Sequence, residues 1–263
     1  MNKIKNSIKK IRTYFLSDLT KSCENYYSLR ERHTKYTFGD QKGQVDYLVN
    51  NVLNYEVNGL LRDDYFFIDL ACADGVTINN TFFLEKHLNW NGLLFEPNPM
   101  YKNQIRDNRS SVHINKCVTD KIGDVVNFRM DNGMLGGIVE SDFDNNEKNR
   151  GKELLKAEIV SLETTTLEFE LESNNAPSII DFMSLDVEGA EYLVLKAFPF
   201  DKYKFRCIAI ERPSPDLDLL LDSKNYIQVK HLKHDVIYVH RNFLSDVNFD
   251  PNVHFMFTPK KDW

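Results

Sequence analysis

Beyond residue 60 the chain repeats one pattern: a short apolar run, then a stretch long enough for a helix. The runs are YFFIDL (65–70), GLLFEPN (92–98), VHINKCV (112–118), IIDFMSLDVEG (179–189) and RCIAIERP (206–213). Between or after them come NNTFFLEKHLNWN (79–91), PMYKNQIRDN (99–108) and AEYLVLKAF (190–198), each with helical character. Strands alternating with helices specify βαβ units and a mostly parallel sheet. Near the end, NYIQVKHLKHDVIYVHRN (225–242) differs, because only LKHD separates two strand-like runs. That is too short for a crossover helix, so an antiparallel hairpin closes one edge of the sheet. Further strand-like pieces, DVVNFRM (124–130) and AEIVSLETTTL (157–167), flank a polar segment, ESDFDNNEKNRGK (140–152), expected to be a lid or a disordered loop.

Residues 1–60 read as a helical extension, and 61–263 as the main domain. Ile4, Ile8, Ile11 and Phe15 fall at helical spacing among Lys3, Lys5, Lys9, Lys10 and Arg12. Such a stripe can lie on an anionic membrane. The more ordinary expectation is packing on the body of the protein or on a second subunit, which would make a homo-oligomer. The formal net charge is −6, the opposite sign to a general nucleic-acid binder. No apolar run approaches the roughly 20 residues of a membrane helix. The N-terminus lacks the apolar core of a signal peptide. Four cysteines, Cys23, Cys72, Cys117 and Cys207, show no CxxC spacing and read as buried free thiols. A cytoplasmic location is expected.

In such a sheet, ligands bind beyond the C-terminal strand ends, where strand order reverses. Asp69, Asp74, Glu96, Asp186, Glu188 and Glu211 all fall at that edge. Any one of them has an ordinary explanation as a helix cap or a solvated charge. Six together exceed what packing requires. The first loop, ACADGV, carries the single glycine Gly75, and no GxGxxG or GK[ST] follows a strand. A pyrophosphate is therefore poorly served there. Glu96 suits a ribose diol, a feature shared by nicotinamide cofactors and S-adenosylmethionine. Carboxylates at the first loop complement an ammonium and a sulfonium and repel phosphate, which favours S-adenosylmethionine.

The order FIDLACADGVTINNTFFLEK, WNGLLFEPNP, FMSLDVEGAEYLVLKAFPF and IAIERP resembles the FkbM family of S-adenosylmethionine-dependent methyltransferases, from about Phe66 to Pro213. The resemblance implies a Rossmann-like, seven-stranded α/β methyltransferase fold whose mostly parallel sheet ends in a C-terminal antiparallel hairpin. It also implies O-methylation, commonly of a sugar hydroxyl on a nucleotide sugar, polysaccharide or glycolipid acceptor. Ala71 stands where the family usually has glycine. On this resemblance Asp69 and Asp74 hold the amino-acid end of the cofactor, with Ala71 and Gly75 in the same loop. Asn80 and Thr81 take its carboxylate at the next helix start, Glu96 with Pro97 takes the ribose, and Cys117, Val118 and Asp120 flank the adenine. The acceptor end is LDVEGAE. There Asp186 and Glu188, completed by Glu211, serve as base, as sugar clamps or as ligands of Mg²⁺ or Mn²⁺. His231 and His234 are alternative bases, with exposed turn histidines as their ordinary reading. Methylation of a phenol, lipid or amine, a non-catalytic adenosyl-ligand-binding scaffold, and a nicotinamide-dependent oxidoreductase are the competing functions. The glycine-poor loop disfavours the last, and the Asp186–Glu188 pair disfavours the scaffold.

Overall fold

The computed structural model describes residues 43–53, 64–131, 133–141 and 143–247. The Ile4–Phe15 stripe and Cys23 lie outside them. The main sheet contains β1 (Phe66–Leu70), β2 (Asn91–Phe95), β3 (Val112–Ile114), β8 (Ile179–Leu185), β9 (Lys204–Glu211), β10 (Tyr226–Leu232) and β11 (Asp235–His240). Their order is β10-β11-β9-β8-β1-β2-β3, seven strands. Only β11 runs against the direction of the other six strands, so the hairpin read from LKHD is present and inserts its second strand beside β9. The strand order reverses between β1 and β8, which pair in parallel with Asp69 opposite Ser184. This is the switch point at which such sheets bind ligands.

The helices are α1 (Gln44–Tyr47, continued by a π-helical turn over Leu48–Val52), α2 (Phe82–Leu88), α3 (Lys102–Asn108), α4 (Glu147–Arg150), α5 (Leu167–Ser173), α6 (Glu191–Leu195) and α7 (Pro215–Ser223). They cover both faces of the sheet, and this explains the near-continuous apolar runs: successive side chains point to opposite faces, and each face is buried. Ile68, Leu70, Met183, Leu185, Ile208 and Ile210 pack with Leu171, Val194, Leu195 and Leu217 on one side. Phe67, Leu94, Phe182, Cys207 and Ile237 pack on the other with Val45, Leu48, Val49, Phe83 and Leu84. The 44–53 segment of the expected extension is thus part of the second core layer.

A smaller sheet, ordered β4-β7-β5-β6, contains β4 (Cys117–Thr119), β5 (Val125–Arg129), β6 (Gly137–Ile138) and β7 (Ile159–Thr166). VHINKCV, expected as one strand, therefore splits into β3 and β4 in different sheets. The physical reason lies at the break, where Asn115 Nδ2 donates to the carbonyls of Glu96 at 2.7 Å and Pro97 at 3.0 Å. The chain is tied there to the β2 turn and leaves the main sheet.

The polar 140–152 segment, expected as a lid or a disordered loop, carries α4 and docks on the turn after β8. The Asp144 amide donates to the Glu188 carbonyl at 2.9 Å. Asn145 is fully buried. Asn146 caps α4 by accepting from the Asn149 amide at 2.8 Å. Among the described residues no helix is long and apolar enough to cross a membrane.

Candidate active site

Five of the six strand-end acids border two clefts. One is mostly apolar, with Leu70, Phe95, Cys117, Val118, Ile138 and Val187 on its walls and Glu96 and Pro97 beside them. The other is acidic and contains Asp69, Asn79, Asn80, Ser184, Asp186, Glu188 and Glu211. Ala71 and Met134 line both, so the clefts adjoin.

Glu96 ends β2 with its carboxylate buried. It accepts from the amides of Ala73 at 2.9 Å and Asn98 at 2.8 Å. Burial still outweighs these donors and pushes its carboxyl up to about 7. The bond to Ala73 also folds the first loop back on β2, together with Ala71 and Cys72 amides donating to the Phe95 carbonyl. Ala71 and Ala73 both have positive φ, 70° and 48°. A residue with a Cβ is strained there, and such strain concentrates at functional loops. The Cys117 thiol is pushed up to about 12 by burial, so Cys117 serves as a neutral wall.

Asp69, at the end of β1, is buried, and burial raises its carboxyl against the opposing pull of Arg109. Its Oδ2 accepts from Asn79 Nδ2 at 2.9 Å and Thr81 Oγ1 at 2.6 Å. The Thr81 hydroxyl is thus spent on Asp69. Asn79 Oδ1 takes the amides of Thr81 at 2.9 Å and Phe82 at 2.7 Å, so the α2 start is already capped. Asn80 does face the acidic cleft, donates to Ser184 Oγ at 3.0 Å, and leaves its buried Oδ1 without a partner.

Asp74, Gly75, Thr81 and Asp120 line neither cleft. The Asp74 carboxylate closes its own turn, accepting from Val76 and Thr77 amides at 2.8 and 2.7 Å. Burial would raise it, but these bonds and the Thr77 hydroxyl hold it low. Asp120 is drawn to Lys196 Nζ at 2.8 Å.

At the ends of β8 and β9, one oxygen each of Asp186, Glu188 and Glu211 lies within 4.8 Å of the others. Burial and the neighbouring Glu211 push Asp186 well above the carboxylate range. Burial acts on Glu211 in the same direction, but the Asp186 hydrogen bond and Arg212 bring it below its ordinary value. The two carboxyls hydrogen-bond to each other and titrate as a unit. Burial and Glu211 raise Glu188 to about 7 against the pull of Arg212. Arg212 reaches Glu211 Oε2 at 2.8 Å, Asp144 Oδ2 at 2.9 Å and Glu188 Oε2 at 3.5 Å. His234 sits in the hairpin turn near enough to lower Glu211, and its carbonyl accepts from the Arg212 amide at 2.8 Å. His231 is exposed and pairs with Gln228 Oε1 at 2.9 Å on its own strand, and neither histidine lines either of these two clefts.

The sequence model of the methyltransferase FkbM domain matches residues 69–228, which span β1 through β10 and therefore both clefts. The chain belongs to the FkbM methyltransferase family. No curated protein matches it in sequence. Among solved structures it is similar to a methyltransferase FkbM of Methylobacillus flagellatus KT, at 12% identity and TM-score 0.41, over 85% of this chain and 60% of that one. It is also similar to the precorrin-6y C5,15-methyltransferase of Geobacter metallireducens GS-15, at 14% identity and TM-score 0.32, over 68% of this chain and 81% of that one.

Several residues of this FkbM chain that shape the site escape a strand-end reading: Asn79, Arg109, Ser184, Glu191 and Arg212. Glu191 supports the DVEG turn by accepting from the amides of Val187 at 3.0 Å and Gly189 at 3.1 Å. Its place in LDVEGAE was visible, but its partners are backbone groups that no spacing rule announces. Arg212 directly follows Glu211, and an adjacent acid–base pair was the one available signal.

Proposed function

We propose that the protein is an S-adenosylmethionine-dependent O-methyltransferase acting on a sugar hydroxyl of a nucleotide sugar, polysaccharide or glycolipid. The observation that carries this reading is the adjoining pair of clefts, one apolar with a single buried carboxylate and one acidic, at the switch point of the sheet. The residues fit the cofactor: the apolar walls suit an adenine, Glu96 suits a ribose diol, and the carboxylate-lined side suits an ammonium. The unpartnered buried atoms Asn80 Oδ1 and Asp186 Oδ1 are both acceptors, so a ligand rich in hydroxyl or ammonium donors satisfies them.

When bound, S-adenosylmethionine supplies an electrophilic methyl group. The chain's own residues hold, orient and move protons. Glu96 takes the ribose hydroxyls while its amide partners keep the carboxylate in place. Asp69 and Asn80 face the amino-acid end. The Asp186–Glu211 pair receives the acceptor's hydroxyl proton, with Glu188 beside it clamping sugar hydroxyls. Arg212, at 2.8 Å from Glu211, favours the ionised form of that carboxyl and holds it in place beside Asp186.

A second reading of the same end rests on the 4.8 Å clustering of Asp186, Glu188 and Glu211, whose hard oxygens suit Mg²⁺ or Mn²⁺. The Arg212 guanidinium at 2.8 Å from Glu211 weighs for the metal-free reading. Cys72, Cys117 and Cys207 are buried free thiols, which fits a reducing, cytoplasmic setting.

The test is transfer of a labelled methyl group from S-adenosylmethionine to a panel of nucleotide sugars and glycans, with and without chelator. We expect transfer to a hydroxyl that survives chelation. Loss of transfer on chelation, restored by Mg²⁺ or Mn²⁺, would establish the metal reading. Absence of S-adenosylmethionine binding by calorimetry would remove the enzyme reading altogether.

A further inference from the structure

Arg109 lies outside both clefts, yet its side chain is fully buried. A buried guanidinium needs several acceptors to offset desolvation. It has four. Nε donates to Glu85 Oε2 at 2.9 Å. Nη1 donates to the Gly75 carbonyl at 2.9 Å and Asn79 Oδ1 at 3.2 Å. Nη2 donates to Thr81 Oγ1 at 3.0 Å. The plane is also flanked by the rings of Phe67 and Phe82, at 5.6 and 5.8 Å.

Two of these acceptors pass the constraint on. Thr81 Oγ1, accepting from Arg109, turns its own proton to Asp69. Asn79 Oδ1 faces the guanidinium, which fixes its amide so that Nδ2 donates to Asp69 and to the Cys72 carbonyl, at 2.9 and 3.2 Å. Both hydrogen bonds that Asp69 accepts from described side chains fall on Oδ2. Gly75 completes the arrangement. A Cβ there would stand 2.9 Å from Arg109 Cγ, and its φ is +80°. The lone glycine of ACADGV thus makes room for the arginine, not for a phosphate.

We propose that Arg109 is the positioning residue of the first loop: through Asn79, Thr81 and the Gly75 carbonyl it holds residues 71–81 and aims Asp69 into the acidic cleft. The link from Asp69 to the cofactor rests on the function proposed above; the hold on the loop does not. A lysine keeps the charge but presents its donors from one point, so it cannot span acceptors reached from three separate nitrogens.

The experiment compares the full-length protein with Arg109→Lys and with Leu171→Ala, a core truncation in α5 that serves as a stability control. Hydrogen exchange is measured without any cofactor, and S-adenosylmethionine affinity and the KM and kcat are measured well below the melting temperatures. For Arg109→Lys we expect faster exchange concentrated in 71–81, cofactor affinity and KM worse by on the order of tenfold, and kcat at saturating cofactor changed less than KM. Leu171→Ala should lower the melting temperature and leave that loop and the cofactor KM alone. Exchange in Arg109→Lys that is unchanged, or raised evenly over the domain as in the control, overturns the proposal. So does a loosened loop with unaltered cofactor affinity. A wild-type protein that binds no S-adenosylmethionine defeats the enzyme reading instead, and the exchange pattern still decides the role of Arg109.

Discussion

Glu96 concentrates the problem of this site in one side chain: a carboxylate buried among apolar walls, with two backbone amides as its partners. A diol offers it further donors. Glu96→Ala should weaken S-adenosylmethionine binding by about 1.5–3 kcal/mol, the worth of hydrogen bonds to a charged group. Calorimetry checks it, and unchanged affinity would take Glu96 out of the site. The same residue sets a pH dependence. Its folded-state carboxyl is raised from 4.5 to about 7, and Glu191 is raised equally. A group raised on folding binds its proton more tightly in the native state, so its contribution is fully present below the unfolded value. That contribution is lost as pH rises through the folded value. The melting temperature should therefore fall between about pH 5 and 7.5 from these two groups. Glu96→Gln should flatten the slope while lowering stability overall, because its NH₂ must face one of the two amide donors. A melting curve equally steep in the variant would assign the effect elsewhere.

At the scale of elements, two contacts make specific demands. Gly92 in β2 lies under the Phe67 ring of β1, and a Cβ there would come within 2.5 Å of the ring. Gly92→Ala should cost roughly 1–3 kcal/mol of stability by overpacking, read from denaturant unfolding. On the proposed function, the β8 turn carries the chemistry. Asp186→Asn keeps the shape of the Asp186–Glu211 contact but removes one of its two titratable carboxyls. It should reduce turnover by about 10²–10⁴-fold with cofactor binding intact. Near-normal turnover on the true acceptor would take Asp186 out of the base and leave that role to Glu211, to Glu188 or to His234 in the neighbouring hairpin turn.

At the scale of the molecule, the insertion between β4 and β7 closes over the end of the sheet. Arg212 joins the three parts: Asp144 from the insertion, Glu188 from the β8 turn and Glu211 from β9. Its φ of 44° is unusual for a side chain of this size and marks a strained position held by its surroundings. Arg212→Ala should release the insertion without unfolding the sheet. Limited proteolysis within 139–156 should quicken, and the acceptor KM should rise more than the cofactor KM. A digestion pattern identical to wild type would show that the Asp144–Glu188 backbone bond and the buried Asn145 suffice to hold it.

The sequence by itself determined the alternation of strands and helices and the closing hairpin, because these depend on periodicity and spacing along the chain, and its motifs carried the resemblance to the family. It also placed Asp69, Glu96, Asp186, Glu188 and Glu211 at one edge, since a strand's end fixes where the next residue emerges. Only the tertiary structure decided which acids face a cleft. Asp74 and Asp69 sit at the same loop in sequence, yet Asp74 is consumed by Val76 and Thr77 while Asp69 is turned inward by Asn79 and Thr81. The split of VHINKCV turned on a side-chain bond from Asn115 to the β2 turn. Arg109 and Arg212 gained their roles from acceptors far away in the chain, such as Glu85 and Asp144. Hydrogen-bond partners and desolvation depend on distances that close only when the sheet has formed, and local pattern carries no record of them.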